Sequence, residues 1–204
     1  MARILGINGI RSDGATNTDA LLHELAKLGW GVDDVDYPRV NALQYYVRGR
    51  QWHRRRQYRD AEPLITAHRP GDAVIAHSYG GLLTLRAMER GAAFSVAFLF
   101  APALDRDVVF PLFGANHIHV IHNRRDKALC YTKLLRFHDS GAMGQHGYRG
   151  PPDDRVHNRE AQDVTGERLH HSDYFLPQNI ERWALWCDAR LFAAGLRHEG
   201  RSAQ

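Results

Sequence analysis

The chain has 204 residues, of which 44% are apolar and 25% are charged, with a formal net charge of +4. This length and composition are typical of a single globular domain, residues 1–204, with a substantial core. No apolar run is long enough to span a bilayer and no signal-peptide pattern opens the chain, so we expect a cytoplasmic protein without a membrane span. The two cysteines, Cys130 and Cys187, lack the spacing of a metal site and are expected to be free thiols.

The first third of the chain alternates short apolar runs with helical patterns. Residues 3–9 form an apolar run closed by Asn-Gly, which predicts a buried strand that leads into a loop. A helix is predicted from about Thr16 to Gly29, and a second short strand from 32 to 37. Residues from about 41 to 68 then have the pattern of one long or broken helix.

Three more apolar runs predict strands, at 72–77, 94–100 and 118–122. The run at 94–100 is the most apolar in the chain and is expected to lie at the centre of the sheet. Helical patterns accompany these strands: one that ends near Gly91, one over 127–137, and a last one that begins at Pro177.

The alternation of strands with helices predicts an α/β fold, a three-layer sandwich in which helices cover both faces of a mainly parallel central sheet. Between about 139 and 166, apolar periodicity is lost among Gly, Pro, Asp and Arg. A long irregular segment in a compact domain is commonly functional. We therefore predict an irregular, lid-like insertion around 139–166 within the single domain.

A serine stands at the end of the strand predicted at 72–77. The apolar run stops abruptly at Ser78, two glycines follow and a helical pattern begins, which predicts a strand, a sharp turn and a helix. Such a turn lifts a hydroxyl clear of the sheet and requires small residues two positions before and after it, here Ala76 and Gly80. Ser78 is therefore the predicted nucleophile. The alternative is an ordinary strand-to-helix turn in which the serine caps the helix.

A serine hydroxyl needs a neighbouring imidazole to remove its proton, and the chain contains 13 histidines. For a nucleophile on a strand–turn–helix motif, the histidine comes last in chain order, on a loop before the final helix. His170 and His171 both lie there. We favour His171, which a small residue and then an aromatic segment follow, and His170 remains the alternative.

The imidazolium that forms needs a carboxylate to orient and stabilise it. The acid is expected after a later strand and before the histidine, and Asp126 follows the strand at 118–122 by a short loop. Its alternative role is a solvated aspartate paired with Arg124 or Arg125. Weaker candidates for the acid lie in the irregular segment: Asp139, Asp153 and Asp154.

The oxyanion that develops during acyl transfer needs backbone N–H donors. The N–H of Tyr79, directly after the serine, is one candidate. The other is the N–H of Ile10, in the loop after the first strand, where Gly9 allows a close approach of the backbone.

Together, Asn8-Gly9, His77–Gly81, Asp126 and His171 resemble the α/β-hydrolase superfamily, and the resemblance spans almost the whole chain. Ala76 and Asn8 depart from the usual glycine and histidine of the family pattern, which leaves the second oxyanion donor open. Because the first strand already leads into the predicted oxyanion loop, the resemblance implies a compact α/β-hydrolase fold that lacks the first strands of larger members.

The resemblance implies a serine hydrolase that cleaves a carboxylic ester through an acyl-enzyme on Ser78, with a Ser-Asp-His triad. A small-molecule ester would be its substrate, and neither a cofactor nor a metal is expected. The superfamily hosts many reactions, so the fold does not define the substrate. The competing hypothesis is a non-catalytic protein of the same fold that serves as a binding or scaffold protein.

Basic residues concentrate in Arg48–Arg59, which contains six arginines with Trp52, His53 and Tyr58 among them. Such a segment could bind phosphates and stack on bases. The solvated face of a helix whose aromatic residues pack inward is the favoured interpretation, because no known nucleic-acid-binding module surrounds it. A nucleic-acid partner is therefore not expected.

Overall fold

The computed structural model describes residues 2–9, 18–38, 50–126, 141–171 and 173–198. The strands of this part are β1 Ile4–Ile7, β2 Val32–Asp34, β3 Ala73–His77, β4 Phe94–Phe100, β5 Ala115–His122 and β6 Val156–Glu160. The helices are α1 Thr18–Lys27, α2 Arg50–Ala67, α3 Tyr79–Glu89, α4 Met143–His146, α5 Gln162–Thr165 and α6 Pro177–Ala193, with a 3₁₀ turn at Asp173–Phe175 before α6. Among these helices, none combines the length and the hydropathy that crossing a membrane requires.

The strands form one sheet in the order β2-β1-β3-β4-β5-β6, and every neighbouring pair is parallel. Within the sheet, Leu5 of β1 lies beside Val74 of β3, and Val74 lies beside Ala97 of β4. The predicted α/β class and parallel sheet are confirmed. Because all strands run in one direction, their carboxyl ends meet at one edge of the sheet, where ligands bind in open α/β folds.

Alternate residues of each central strand face opposite sides of the sheet, and both sides are covered. On one side, Val74 and Leu99 pack with residues of α2 and α3 such as Leu64 and Leu82. The other side packs against α1 and α6, which makes the sandwich three layers thick. Its fully buried side chains include Leu21 and Leu25 of α1, Phe98 and Phe100 of β4, and Trp183 and Cys187 of α6.

The structure corrects the interpretation of 139–166 as wholly irregular. Its described part contains the edge strand β6, which pairs with β5 so that Val120 lies beside Asn158. The sequence Val-His-Asn-Arg-Glu lacks apolar alternation, because the strand is half-buried or exposed along its length. Pairing with β5, which no local pattern encodes, makes this segment a strand.

Other sequence predictions differ from the structure at element ends or fall outside its described part. Strand β5 begins at Ala115, three residues before the predicted start at 118, because Ala115 still pairs with Phe94 of β4. The predicted helix at 41–68 is described only from Arg50 onward, as α2. The predicted helix at 127–137 and Cys130 lie outside the described residues, whereas Cys187 is a buried free thiol.

A partly buried histidine, His119, contributes to the pH dependence of stability. His119 of β5 stacks on the ring of Phe98, with ring centroids 5.2 Å apart, and lies 5.4 Å from the ring of Trp186. Burial lowers the pKa of His119 to about 3, helped by the positive charges that His157 and Arg190 can carry nearby.

The folded chain is therefore expected to lose stability as the pH falls from 6.5 towards 3, because unfolding lets His119 take up a proton. His119→Phe removes the share of this dependence that comes from His119. Between pH 7.5 and pH 4 the variant should therefore lose up to about 3 kcal/mol less unfolding free energy than wild type. Urea unfolding of both proteins at the two pH values measures the difference. Equal changes in the two proteins would contradict the prediction.

Candidate active site

The turn between β3 and α3 holds Ser78 in an unusual backbone conformation, with φ of 53° and ψ of −114°. A residue with a Cβ rarely adopts this region, and such strain persists where the surroundings impose it. Here the N–H of Ser78 donates to Phe100 O at 2.9 Å, and its carbonyl accepts from Gly81 N at 3.1 Å and Ala103 N at 2.9 Å. These hydrogen bonds hold the serine at the carboxyl edge of the sheet.

The turn is tight because β1 passes directly beside it. A Cβ added at Gly80 would lie 2.8 Å from Asn8 O and closer still to Ile7 O, so a side chain at this position would collide with backbone. Ala76, two residues before the serine, is fully buried in β3. The small-residue requirement inferred from the sequence is therefore strict at Gly80, and the methyl group of Ala76 is accommodated.

Ser78, His171 and Asp126 form a chain of hydrogen bonds. The Nε2 of His171 lies 3.0 Å from Ser78 Oγ, and its Nδ1 lies 2.6 Å from Asp126 Oδ2. Because a carboxylate only accepts, Nδ1 carries the proton, and Nε2 accepts the hydrogen bond from the serine hydroxyl. Asp126 is fully buried, whereas 19% of the His171 side chain is exposed, so the serine end of the chain faces the solvent.

The competing candidates for acid and base lie elsewhere. His170 is exposed, and its backbone N–H donates to Asp173 at 2.7 Å, which turns the chain back before α6. Arg124 lies 3.7 Å from Glu160, and Asp153 pairs with Arg155 at 2.6 Å. Asp139 lies outside the described residues. Of the predicted alternatives, the geometry therefore brings His171 and Asp126 to the serine.

Two of the residues predicted around the oxyanion lie against Ser78. A Cβ added at Gly9 would be 3.1 Å from Ser78 Cβ, so the backbone of the loop after β1 approaches the serine closely. Tyr79 is the first residue of α3, where the helix dipole favours negative charge. Its ring packs towards Tyr37, with centroids 5.9 Å apart, which turns the side chain away from the serine. Ile10 lies outside the described residues, so its predicted role stays a prediction.

Asn8, a departure from the family pattern, joins the end of β1 to the start of α1. Its Oδ1 accepts hydrogen bonds from the backbone N–H of Thr18 at 2.7 Å and from the Thr18 hydroxyl at 2.8 Å. Its Nδ2 donates to Asp19 at 3.2 Å, and its own carbonyl accepts from Tyr37. An asparagine side chain that accepts from the first N–H of a helix acts as a cap. The sequence could have suggested this role, because Asn is a preferred capping residue.

Asn123 joins the loop of Asp126 to the loop of His171, a role that the sequence did not reveal. Its side-chain Nδ2 donates to Leu169 O, close to His171, and its carbonyl accepts from Asp126 N at 2.9 Å. Its backbone N–H donates to Gly144 O at 2.9 Å. The side chain is buried although the residue lies in a loop, which identifies it as part of the support of the site.

Two segments, 102–104 and 143–144, run together beside Ser78. The N–H of Gly144 donates to Pro102 O at 3.0 Å, and the N–H of Met143 donates to Leu104 O at 2.9 Å. The first of these segments also contacts the serine through Ala103 N. Part of the region 139–166 therefore lies next to the segment that holds Ser78.

The basic segment of α2 faces partly inward. Arg56 forms an ion pair with Asp60 at 2.7 Å and donates to Pro38 O at 2.9 Å. The Tyr58 hydroxyl donates to Glu89 at 2.6 Å, so its ring packs against α3. Arg55 and Arg59 are exposed. Aromatic rings that pack inward and arginines that face the solvent match the favoured interpretation of an amphipathic helix.

No protein-family model and no curated protein sequence matches the chain. Solved structures match it over most of its length. The mouse alpha/beta hydrolase domain-containing protein 10 has a TM-score of 0.56 at 13% identity, over 93% of this chain and 89% of that one. A pyrethroid hydrolase from Sphingobium faniae JZ-2 has a TM-score of 0.54 at 14% identity, over 95% of this chain and 97% of that one.

An esterase from Pyrococcus furiosus, Pf2001, is similar at a TM-score of 0.52 and 12% identity, over 95% of this chain and 81% of that one. At identities this low, the likeness shows a shared fold. The compact parallel sheet and the family resemblance predicted from the sequence are confirmed at that level.

Proposed function

We propose that this chain, whose fold is that of the α/β-hydrolase superfamily, is a serine hydrolase that cleaves a carboxylic ester through an acyl-enzyme on Ser78. The observation that carries the proposal is the chain of hydrogen bonds from Ser78 Oγ through His171 to Asp126, at 3.0 Å and 2.6 Å. A hydroxyl that donates to an imidazole, itself held by a buried carboxylate, is the arrangement that activates serine as a nucleophile.

In the first half of the reaction, Ser78 Oγ attacks the ester carbonyl carbon while its proton moves to His171 Nε2. The carbonyl oxygen becomes an oxyanion, for which we propose the N–H groups of Tyr79 and Ile10 as donors. When the tetrahedral intermediate collapses, the bond to the alkoxy oxygen breaks and the proton on His171 passes to that oxygen. The alcohol leaves, and the acyl group remains on Ser78.

In the second half, a water molecule takes the place of the alcohol. His171 Nε2 removes a proton from the water, whose oxygen attacks the acyl carbon of the acyl-enzyme. Collapse of the second intermediate returns the proton to Ser78 Oγ and releases the carboxylic acid. Asp126 stays ionised throughout and stabilises the imidazolium that forms in each half. These steps require no metal and no cofactor.

A small-molecule ester is the proposed substrate class. The names of two structurally similar proteins, an esterase and a pyrethroid hydrolase, support ester hydrolysis over amide hydrolysis. Ser78 and His171 are partly exposed, so a substrate can reach them from solvent. We propose that the segments 104–116 and 139–166 flank the acyl group, because residues 102–104 contact both Ser78 and the residues Met143 and Gly144.

Labelling with a fluorophosphonate probe tests the proposal. The wild-type protein should take up one equivalent of probe, on the peptide that contains Ser78, and preincubation with p-nitrophenyl acetate should slow the labelling. Ser78→Ala should not react. Ser95→Ala is the matched control, because Ser95 Oγ donates to Gly71 O at 3.0 Å at the opposite edge of the sheet.

A wild-type protein that neither reacts with the probe nor hydrolyses the ester would favour the alternative, a non-catalytic protein of this fold that acts in binding or as a scaffold. Labelling of Ser78→Ala at the wild-type rate would contradict the proposed nucleophile.

A further inference from the structure

His77, the residue before the nucleophile, is a buried histidine that the proposed mechanism does not use. It ends β3, and its side chain is 5% exposed. Its ring lies against His171, with centroids 5.0 Å apart, and meets the ring of Phe175 edge-on at 5.2 Å. The ring therefore occupies the space between the sheet and the loop that carries the base.

The hydrogen bond that His77 makes defines its tautomer. Its Nε2 lies 3.1 Å from the carbonyl oxygen of His171, and a carbonyl only accepts, so Nε2 must carry the proton. Nδ1 then holds a lone pair, and it has no hydrogen-bond partner in the described part of the chain. A buried acceptor without a partner costs free energy, so the unpaired Nδ1 does not itself stabilise the fold.

The same surroundings keep the ring neutral. Burial, together with the charge that His171 can carry nearby, lowers the pKa of His77 to about 3, although the hydrogen bond to the His171 carbonyl acts in the opposite direction. At neutral pH His77 therefore donates a hydrogen bond without placing a second positive charge beside the imidazolium of His171.

We infer that His77 is a positioning residue for the base, whose Nε2–H holds the backbone of His171 so that the imidazole faces Ser78. The inference rests on the proposed function. The loop of the base is held by side chains at two of its carbonyls, since Asn123 donates to Leu169 O and His77 donates to His171 O. Loss of either anchor lets the imidazole move relative to the serine, and a misplacement of about 1 Å can cost about 100-fold in rate.

The matched variants are His77→Phe, which keeps an aromatic ring but lacks the donor, and His77→Gln, whose amide Nε2–H can replace the lost donor. With p-nitrophenyl acetate, His77→Phe should lose about 10- to 100-fold in kcat while KM changes less than about threefold. His77→Gln should recover most of that loss. A kcat of His77→Phe equal to wild type, or a folded His77→Gln no better than His77→Phe, would overturn the inference.

A spectroscopic signature separates positioning from a loss of folding. The proton between His171 Nδ1 and Asp126 should give a low-field ¹H resonance in wild type and in His77→Gln, and a broadened or absent one in His77→Phe. If His77→Phe does not fold, ¹⁵N spectra of the wild-type ring decide the question. A neutral Nε2–H tautomer of His77 between pH 5 and pH 8 is required, and an Nδ1–H tautomer or a charged ring would refute the inference.

The outcomes also distinguish this inference from the proposed function. If Ser78→Ala keeps wild-type hydrolysis of the same ester, the proposed function fails, whatever His77 does. If Ser78→Ala is inactive and unlabelled but His77→Phe behaves as wild type, the function stands and only the role of His77 is lost.

Discussion

Ser78→Ala and His171→Ala are each expected to lower kcat/KM for a short p-nitrophenyl ester by about 10⁴- to 10⁶-fold. The two side chains act as one unit, since a hydroxyl 3.0 Å from an imidazole is a nucleophile only while that imidazole accepts its proton. The double variant should therefore be no slower than either single variant. Steady-state and single-turnover hydrolysis measure the three rates.

His170→Ala is the control for His171→Ala, because His170 is the adjacent histidine but is exposed, whereas His171 contacts Ser78. It should keep kcat/KM within about threefold of wild type. If His170→Ala lost as much activity as His171→Ala, His171 would not be the base. If the losses of Ser78→Ala and His171→Ala multiplied in the double variant, the two side chains would not act as one unit.

Asp126→Asn is expected to lower kcat by about 10⁴-fold with little change in KM. The carboxylate accepts from His171 Nδ1 at 2.6 Å and thereby keeps Nε2 free to accept the serine proton. An asparagine amide can donate to Nδ1 instead, which moves the ring proton to Nε2 and blocks that transfer. The substitution changes neither the size nor the burial of the side chain, so the fold should persist.

Asp154→Asn is the matched control, since Asp154 is exposed and is one of the weaker candidates for the acid in the sequence. It should hydrolyse the ester at the wild-type rate and retain fluorophosphonate labelling. A wild-type rate in Asp126→Asn, with unchanged folding by circular dichroism, would remove Asp126 from the proposed triad.

Where the sequence predicted well, the physical signal was local. The apolar run before Ser78 and the glycines after it specify a strand and a turn, and the close approach of β1 to Gly80 explains why that position tolerates no side chain. The central strands were visible because burial on both faces requires continuous apolar residues. The helix from Pro177 was visible because one stripe of it, including Trp183, packs on the sheet.

Where the sequence failed, the signal was non-local. Strand β6 has no apolar alternation because it lies at the sheet edge, and only its pairing with β5 defines it. Asn123 looked like a loop residue, although its side chain bridges to Leu169, 46 residues later. His77 looked like one of many histidines, and its hydrogen bond to His171 spans 94 residues.

By itself, the sequence determined the α/β class and predicted the turn that presents Ser78. These features depend on neighbouring residues and on the alternation of apolar runs. The sequence favoured His171 over His170, but only the tertiary structure brings His171 to Ser78 and buries Asp126 beside it, because these contacts join residues 93 and 45 positions apart. Such pairings arise where the parallel sheet brings the ends of its strands together, and no local pattern records which side chain then faces the serine.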